Sequence, residues 1–247
     1  MLTETAFYYL TGTFLAALAG ALLPFLKKWS SRQLHLFLAF GAGVFLGVLF
    51  LHIIPEISSL SSPASLNGNI FVLLAFMVLL LIERVLLTQH ERECGEKCSH
   101  RHEVVGYASM LGLSIHSIAE GASFGFLLIH PSLVLPLFLA IIAHKWTAAF
   151  SLSTVFQLAQ FNKLKSSFFL LIFCGLTPLT AVLALKSSHL FSGDALQIAN
   201  ALAGGTFLYV ATCDLLPEAF HESRGRIGSF IAIALGILLM LGLTIVH

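Results

Sequence analysis

Apolar residues fill the chain in eight blocks, near residues 5–26, 34–57, 69–87, 104–129, 133–159, 164–185, 194–218 and 227–246, with short polar connections between them. Each block approaches the roughly twenty residues a helix needs to cross the hydrocarbon core of a bilayer. The pattern predicts eight membrane-spanning helices and no soluble domain. Ionisable residues interrupt the blocks at few places, and the most informative is the fourth, which reads Leu113-Ser-Ile-His116-Ser117-Ile-Ala-Glu120-Gly121-Ala-Ser123-Phe-Gly125. His116 and Glu120 stand four apart, so on a helix they share one face, one turn above the other. Charged or titratable groups in a spanning helix are costly and by default mark a substrate or ion pathway, the alternative being a polar pair that glues helices together.

Composition agrees with the pattern. Hydrophobic residues make up 57% of the chain and charged residues 10%, with a mean hydropathy of +0.93, whereas a soluble domain carries roughly a quarter charged residues. The reading is an all-α integral membrane protein whose surroundings are the lipid bilayer. A net charge of +1 gives no reason to expect nucleic acid as a partner. Of the 13 Lys and Arg residues, 11 fall in or beside the odd-numbered connections: Lys27, Lys28 and Arg32; Arg84, Arg92, Lys97 and Arg101; Lys163 and Lys165; Arg224 and Arg226. Under the positive-inside rule these connections are cytoplasmic and both termini face outward. The opening Met1-Leu-Thr-Glu-Thr lacks a basic n-region and a small-residue cleavage site, so the first block reads as a retained span.

Cys174 and Cys213 fall inside spans and read as packing residues. The third connection, 88–103, gathers His90, Cys94, Cys98, His100 and His102. Such a cluster can bind a soft or borderline metal, although no closed zinc-finger spacing is present and a solvated loop is the alternative. Glu83, beside Arg84, reads as half of a snorkelling pair at the membrane interface.

The second and seventh blocks echo each other. Gly43-Val-Phe-Leu-Gly-Val-Leu-Phe-Leu-His52-Ile-Ile-Pro55-Glu56 and, 162 residues later, Gly205-Thr-Phe-Leu-Tyr-Val-Ala-Thr-Cys-Asp214-Leu-Leu-Pro217-Glu218 agree at six of fourteen positions, the Pro-Glu pair included. By the loop charges the two copies run in opposite directions. The chain therefore reads as one transmembrane domain, 1–247, with a 3+2+3 inverted repeat: repeat 1 over about 5–87, central helices four and five over about 104–159, and repeat 2 over about 164–246. That arrangement is common in secondary transporters, which bind substrate near the midplane between the repeats. His52 and Glu56 are then expected near the outer face, Asp214 and Glu218 near the inner face, and Pro55 and Pro217 are expected to end or kink their helices.

The fifth block carries His144 and Lys145. Counted from the turn at Pro131, Glu120 is eleven residues back, His116 fifteen back and His144 thirteen forward. At a rise of about 1.5 Å per residue all three lie within about 3 Å of one depth. Two imidazoles and one carboxylate suit Zn²⁺ or another late first-row divalent ion and suit Mg²⁺ or Ca²⁺ poorly. Lys145 requires a counter-ion at that depth, and Glu120 is the one available; an arriving cation is then expected to displace the ammonium from the carboxylate, and the fixed charge to repel a second ion.

His116-Ser117-Ile-Ala-Glu120-Gly121, His144, and Leu216-Pro217-Glu218 following Gly-Thr-Phe-Leu-Tyr-Val resemble the signatures of the Zrt/Irt-like (ZIP) metal transporters over nearly the whole chain. Members with two metals carry Asn after the fourth-span His and acids after the first fifth-span ligand. This chain has Ser117, Lys145 and Ala148 there, so the resemblance is to the branch with His-Lys in the fifth span and a single ion site.

The resemblance implies uptake of divalent metal, chiefly zinc, into the cytoplasm, with the ion as substrate and no cofactor, a plasma-membrane location and a homodimer. On this reading His116, Glu120 and His144 bind the ion, Lys145 and Ser117 modulate the site, and His52, Glu56, Asp214, Glu218, His221 and Glu222 line its path. An intramembrane metalloenzyme is the rival, but the His-Glu-x-x-His string that chemistry wants is absent. A metal sensor built on Cys94, Cys98, His100 and His102 is the other.

Overall fold

The computed structural model describes residues 4–26, 29–55, 57, 67–83, 99–128, 131–187, 193–220 and 226–246. Among these residues are eight long helices and no strand: α1 (Glu4–Leu22), α2 (Ser31–Val48), α3 (Gly68–Leu81), α4 (Ser99–Leu127), α5 (Pro131–Leu158), α6 (Lys163–Lys186), α7 (Gly193–Tyr209) and α8 (Arg226–Val246). Helix starts are set by short polar side chains that accept from otherwise unsatisfied backbone N–H groups. Ser30 and Gln33 form a capping box on α2, Asn67 caps α3 and Asn162 caps α6.

Six stretches are long and apolar enough to cross a membrane: Glu4–Phe25, Ser31–Ile53, Phe138–Leu158, Lys163–Lys186, Gln197–Ala219 and Arg226–Thr244. Helix α3 has 14 residues, fewer than a span needs. Helix α4, 29 residues long, is diluted by its serines and by His116 and Glu120. The protein is multi-pass, and Leu73 and Leu74 of α3 with Ile227, Phe230 and Leu238 of α8 are exposed. Such apolar faces are a liability in water and ordinary against lipid tails.

The proline-containing ends of α2 and α7 behave alike. Proline has no N–H and its ring crowds the carbonyl four residues back, and upstream of each proline the helix widens into a π turn, Leu49–Ile53 and Val210–Leu215. Ile54 N–H donates to the Leu49 carbonyl and Leu216 N–H to the Ala211 carbonyl, positions related by the same shift of 162. Beyond its π turn α7 adds one short turn, Leu216–Ala219, that contains Pro217; Pro55 is helical and Glu56 lies outside the described residues. His52 and Asp214, also matched by that shift, lie in the two π turns.

Contacts give the relative directions. His35 meets Glu218, Phe45 stacks on Phe207 and Gln197 donates to the Ile57 carbonyl, so α2 and α7 run antiparallel. The main partner of α2 is α8, of α7 is α3, of α1 is α5 and of α6 is α4. Glycines make several of these approaches backbone to backbone: a Cβ at Gly43 would overlap the Ile233 carbonyl, and one at Gly205 the Val72 carbonyl.

Candidate metal centre

Helices α4 and α5 run antiparallel from the turn before Pro131, which is what brings residues equally far from it to one level. His144 Nε2 lies 2.7 Å from Glu120 Oε1, and His116 Nε2 lies 3.8 Å from the same oxygen. One ligand atom from each of His116, Glu120 and His144 falls within 4.8 Å of the other two, and all three side chains are buried. Donors held 2.0–2.1 Å from a tetrahedral zinc stand about 3.3 Å apart, so small shifts of the imidazoles would enclose such an ion on Oε1. Two nitrogens and one oxygen leave a coordination position open.

Glu120 divides its oxygens. Oε1 faces the two imidazoles, while Oε2 accepts from Lys145 Nζ at 2.7 Å and from Thr177 Oγ1 at 2.8 Å. Lys145, only 1% exposed, also donates to Ser117 Oγ at 2.8 Å and Thr177 Oγ1 at 2.5 Å, and its Nζ sits 4.9 Å from the Phe173 ring centroid. In this arrangement Lys145 occupies Oε2 and leaves Oε1 to the imidazoles.

Thr177 belongs to α6, and α6 reaches Glu120 because Gly121 and Gly125 leave α4 without side chains there. A Cβ at Gly121 would overlap Thr180 Oγ1, and one at Gly125 the Ala181 carbonyl.

The remaining residues expected to handle an ion are spread along the molecule. Helix α4 meets α7 at three levels seven residues apart on both chains: Ser109 Oγ donates to Asp214 Oδ2 at 2.6 Å, the His116 ring stacks on Phe207, and Ser123 Oγ donates to Asn200 Oδ1. Asp214 is therefore buried on the same stripe of α4 as the centre, about 10 Å away along the helix. Glu218 Oε1 is 4.0 Å from His35 Nε2, and His52 Nε2 pairs with Thr244 Oγ1 at 3.0 Å; neither joins the His116 cluster. Glu56, His90, Cys94, Cys98, His221 and Glu222 lie outside the described residues, as do the side chains of His100 and His102.

Glu83 is 5% exposed and accepts from the Tyr209 hydroxyl, while Arg84, its expected partner, lies outside the described residues. Thr177, Ser109, Asn200, His35 and Phe207 were not anticipated as neighbours of these groups. Only Ser109 carried a sequence signal, its spacing of seven from His116 placing it on the same face.

The chain matches the family model described as ZIP zinc transporter over residues 3–103 and 87–244. It is similar to zinc transporter ZIP9 of Micropogonias undulatus, 29% identical over 199 residues that cover 72% of this chain and 64% of the relative. Zinc transporter ZIP9 of Xenopus tropicalis is 28% identical over 198 residues, covering 72% and 65%. Zinc transporter ZIP1 of Takifugu rubripes is 25% identical over 298 residues, covering 96% and 98%. The chain thus spans a little under two thirds of the length of these ZIP9 relatives, 64% and 65%.

Proposed function

The chain belongs to the ZIP zinc transporter family, and from that premise we propose that it carries a divalent metal ion, zinc foremost, across the membrane through one central site formed by His116, Glu120 and His144. The observation that carries this reading is the meeting of the three buried ligand atoms within 4.8 Å. Imidazole and carboxylate suit zinc and its late first-row neighbours, and three strong ligands hold an ion less tightly than a closed cage would. A carrier needs that, because its cargo must leave.

Lys145 makes the site selective for one ion. At rest its charge balances Glu120, so the empty centre is near neutral in a medium that penalises net charge. With zinc on Oε1, the ammonium stays on Oε2 among Ser117, Thr177 and the Phe173 ring, and repels a second cation from that side.

Movement is by alternating access between an inverted 3+2+3 repeat. Support comes from the antiparallel contact of α2 and α7, from the π turns at matched positions, and from the exchange of helix partners between the halves. The path runs through His52 and Glu56 on one side, and through Asp214, Glu218, His221 and Glu222 on the other. The loop charges make the first side external, so that transport delivers ion to the cytoplasm. The plasma membrane and a homodimeric assembly complete the reading, on the resemblance alone.

The test is radiolabelled zinc uptake into proteoliposomes holding the purified protein. Wild type should accumulate zinc, and His116→Ala and Glu120→Ala should reduce uptake to the protein-free rate. Uptake unchanged in both variants would refute the assignment.

A further inference from the structure

A histidine that binds metal through one ring nitrogen is ordinarily aimed by a hydrogen bond from the other to a carboxylate or carbonyl. The centre lacks that device on both its imidazoles. Nδ1 of His116 and Nδ1 of His144 are buried and make no hydrogen bond among the described residues, so another contact must fix the two rings.

Phe207 makes that contact. The His116 ring lies over it with centroids 3.6 Å apart and planes 24° from parallel, and the His144 ring meets it edgewise at 5.5 Å and 89°. The two imidazoles are themselves 5.8 Å apart at 70°. A single phenyl ring therefore touches both ligands and sets the angle between them. Phe207 is itself held, being fully buried and stacked on its other side against Phe45 at 4.7 Å and 18°. Its helix is pinned to α3 where Gly205 meets the Val72 backbone. Of the three levels at which α4 meets α7, this is the one where the partner is a flat hydrocarbon with no hydrogen-bonding atom.

We infer that Phe207 is the positioning residue of the ion site, orienting both imidazoles by ring contact where no hydrogen bond to Nδ1 does so. The inference rests on the proposed role of His116 and His144 as ligands. Contact between faces restricts rotation of the His116 ring about its Cβ–Cγ bond and keeps Nε2 turned toward Glu120, without withdrawing electron density or adding charge. Without an acceptor at Nδ1 the imidazole binds zinc less firmly than a carboxylate-backed histidine, which fits release.

The test combines equilibrium binding of radiolabelled zinc to purified protein with uptake into proteoliposomes. Phe207→Leu retains much of the volume and removes the aromatic face. It should bind zinc about tenfold more weakly, the lower end of what loss of an outer contact costs a metal site, with a raised KM and a smaller change in maximal rate. Phe207→Tyr keeps the ring and should stay within about threefold of wild type, the small effect expected when the orienting contact survives. Phe156→Leu removes an equally buried ring, whose ring contacts are with Phe161 and Phe169, and should also stay within about threefold, separating orientation from packing.

Folded Phe207→Leu protein binding zinc as wild type does would overturn the inference. So would a Phe156→Leu loss as large as that of Phe207→Leu, or a folded Phe207→Tyr protein binding as weakly as Phe207→Leu. If Phe207→Leu yields no folded protein, Phe207→Met is measured against the same limits. His116→Ala in the same assay keeps the two claims apart. Loss of binding there with none in Phe207→Leu defeats only the orienting role, whereas unchanged binding in His116→Ala defeats the site.

Discussion

Lys145 Nζ and Glu120 Oε2 lie 2.7 Å apart inside the helical core, on the far side of the carboxylate from the two imidazoles. In the proposed site one carboxylate serves two cations at once, a fixed ammonium on one oxygen and a travelling ion on the other. Removing the ammonium should strengthen the hold on the traveller. For Lys145→Ala the expectation is tighter zinc binding by roughly tenfold, which corresponds to about 1.4 kcal/mol of relieved repulsion, and a lower maximal uptake rate because release slows. Isothermal titration against zinc, run beside proteoliposome uptake, measures both.

Charge balance makes a separate prediction about stability. Glu120→Gln keeps the shape of the side chain but leaves the Lys145 ammonium without its counter-ion, at a cost of about 3 kcal/mol in a membrane interior. The variant should melt at a lower temperature in detergent than wild type. Adding Lys145→Met should restore the melting temperature and leave uptake abolished, because a neutral amide oxygen is a weaker ligand for the ion than the carboxylate it replaces. A double variant no more stable than Glu120→Gln would show that the pair is not held by its charges.

Close packing of α4 on α6 is what lets Thr177 reach Glu120. Gly121→Ala places a methyl group against Thr180 Oγ1 and the Thr177 backbone. Overpacking of this kind costs about 1–3 kcal/mol, so lower thermal stability and reduced uptake should appear together. Gly175→Ala, with nothing within 4 Å of the added carbon, should leave both unchanged.

Along the stripe of α4 that continues past His116, Asp214→Asn tests the path without disturbing the centre. The amide retains an oxygen to accept from Ser109 and loses the negative charge. Maximal uptake should fall severalfold, consistent with removal of one favourable charge from a stepping site, while equilibrium zinc binding stays at the wild-type value. A fall in binding equal to the fall in rate would place Asp214 in the binding site and not on the route away from it.

The ligand cluster was legible in the sequence because α4 and α5 are joined by a short turn. Counting outward from Pro131 sets depth, and the four-residue spacing of His116 and Glu120 sets the face. The likeness of α2 and α7 was legible through the shared Pro-Glu register, and their opposite directions through the loop charges. Thr177 was not, since it sits on α6 and no short connection ties its depth to that of Glu120. Phe207 appeared only as a match to Phe45, and a phenylalanine in an apolar block gives no sign that it touches a histidine. The bond of Glu83 to the Tyr209 hydroxyl was not legible, since the two residues are 126 apart in the chain.

The first three helices find their main neighbours late in the chain: α1 on α5, α3 on α7, and α2 on α8. Gly43 lies against the backbone of Ile233, and Gly236 against the backbone of Phe40, so a groove made early in synthesis is filled only once α8 has been made. A chain cut short before α8 leaves that groove bare, and neither the first three helices nor the last three contain their own principal partners. The two ends of the chain must meet before either is finished.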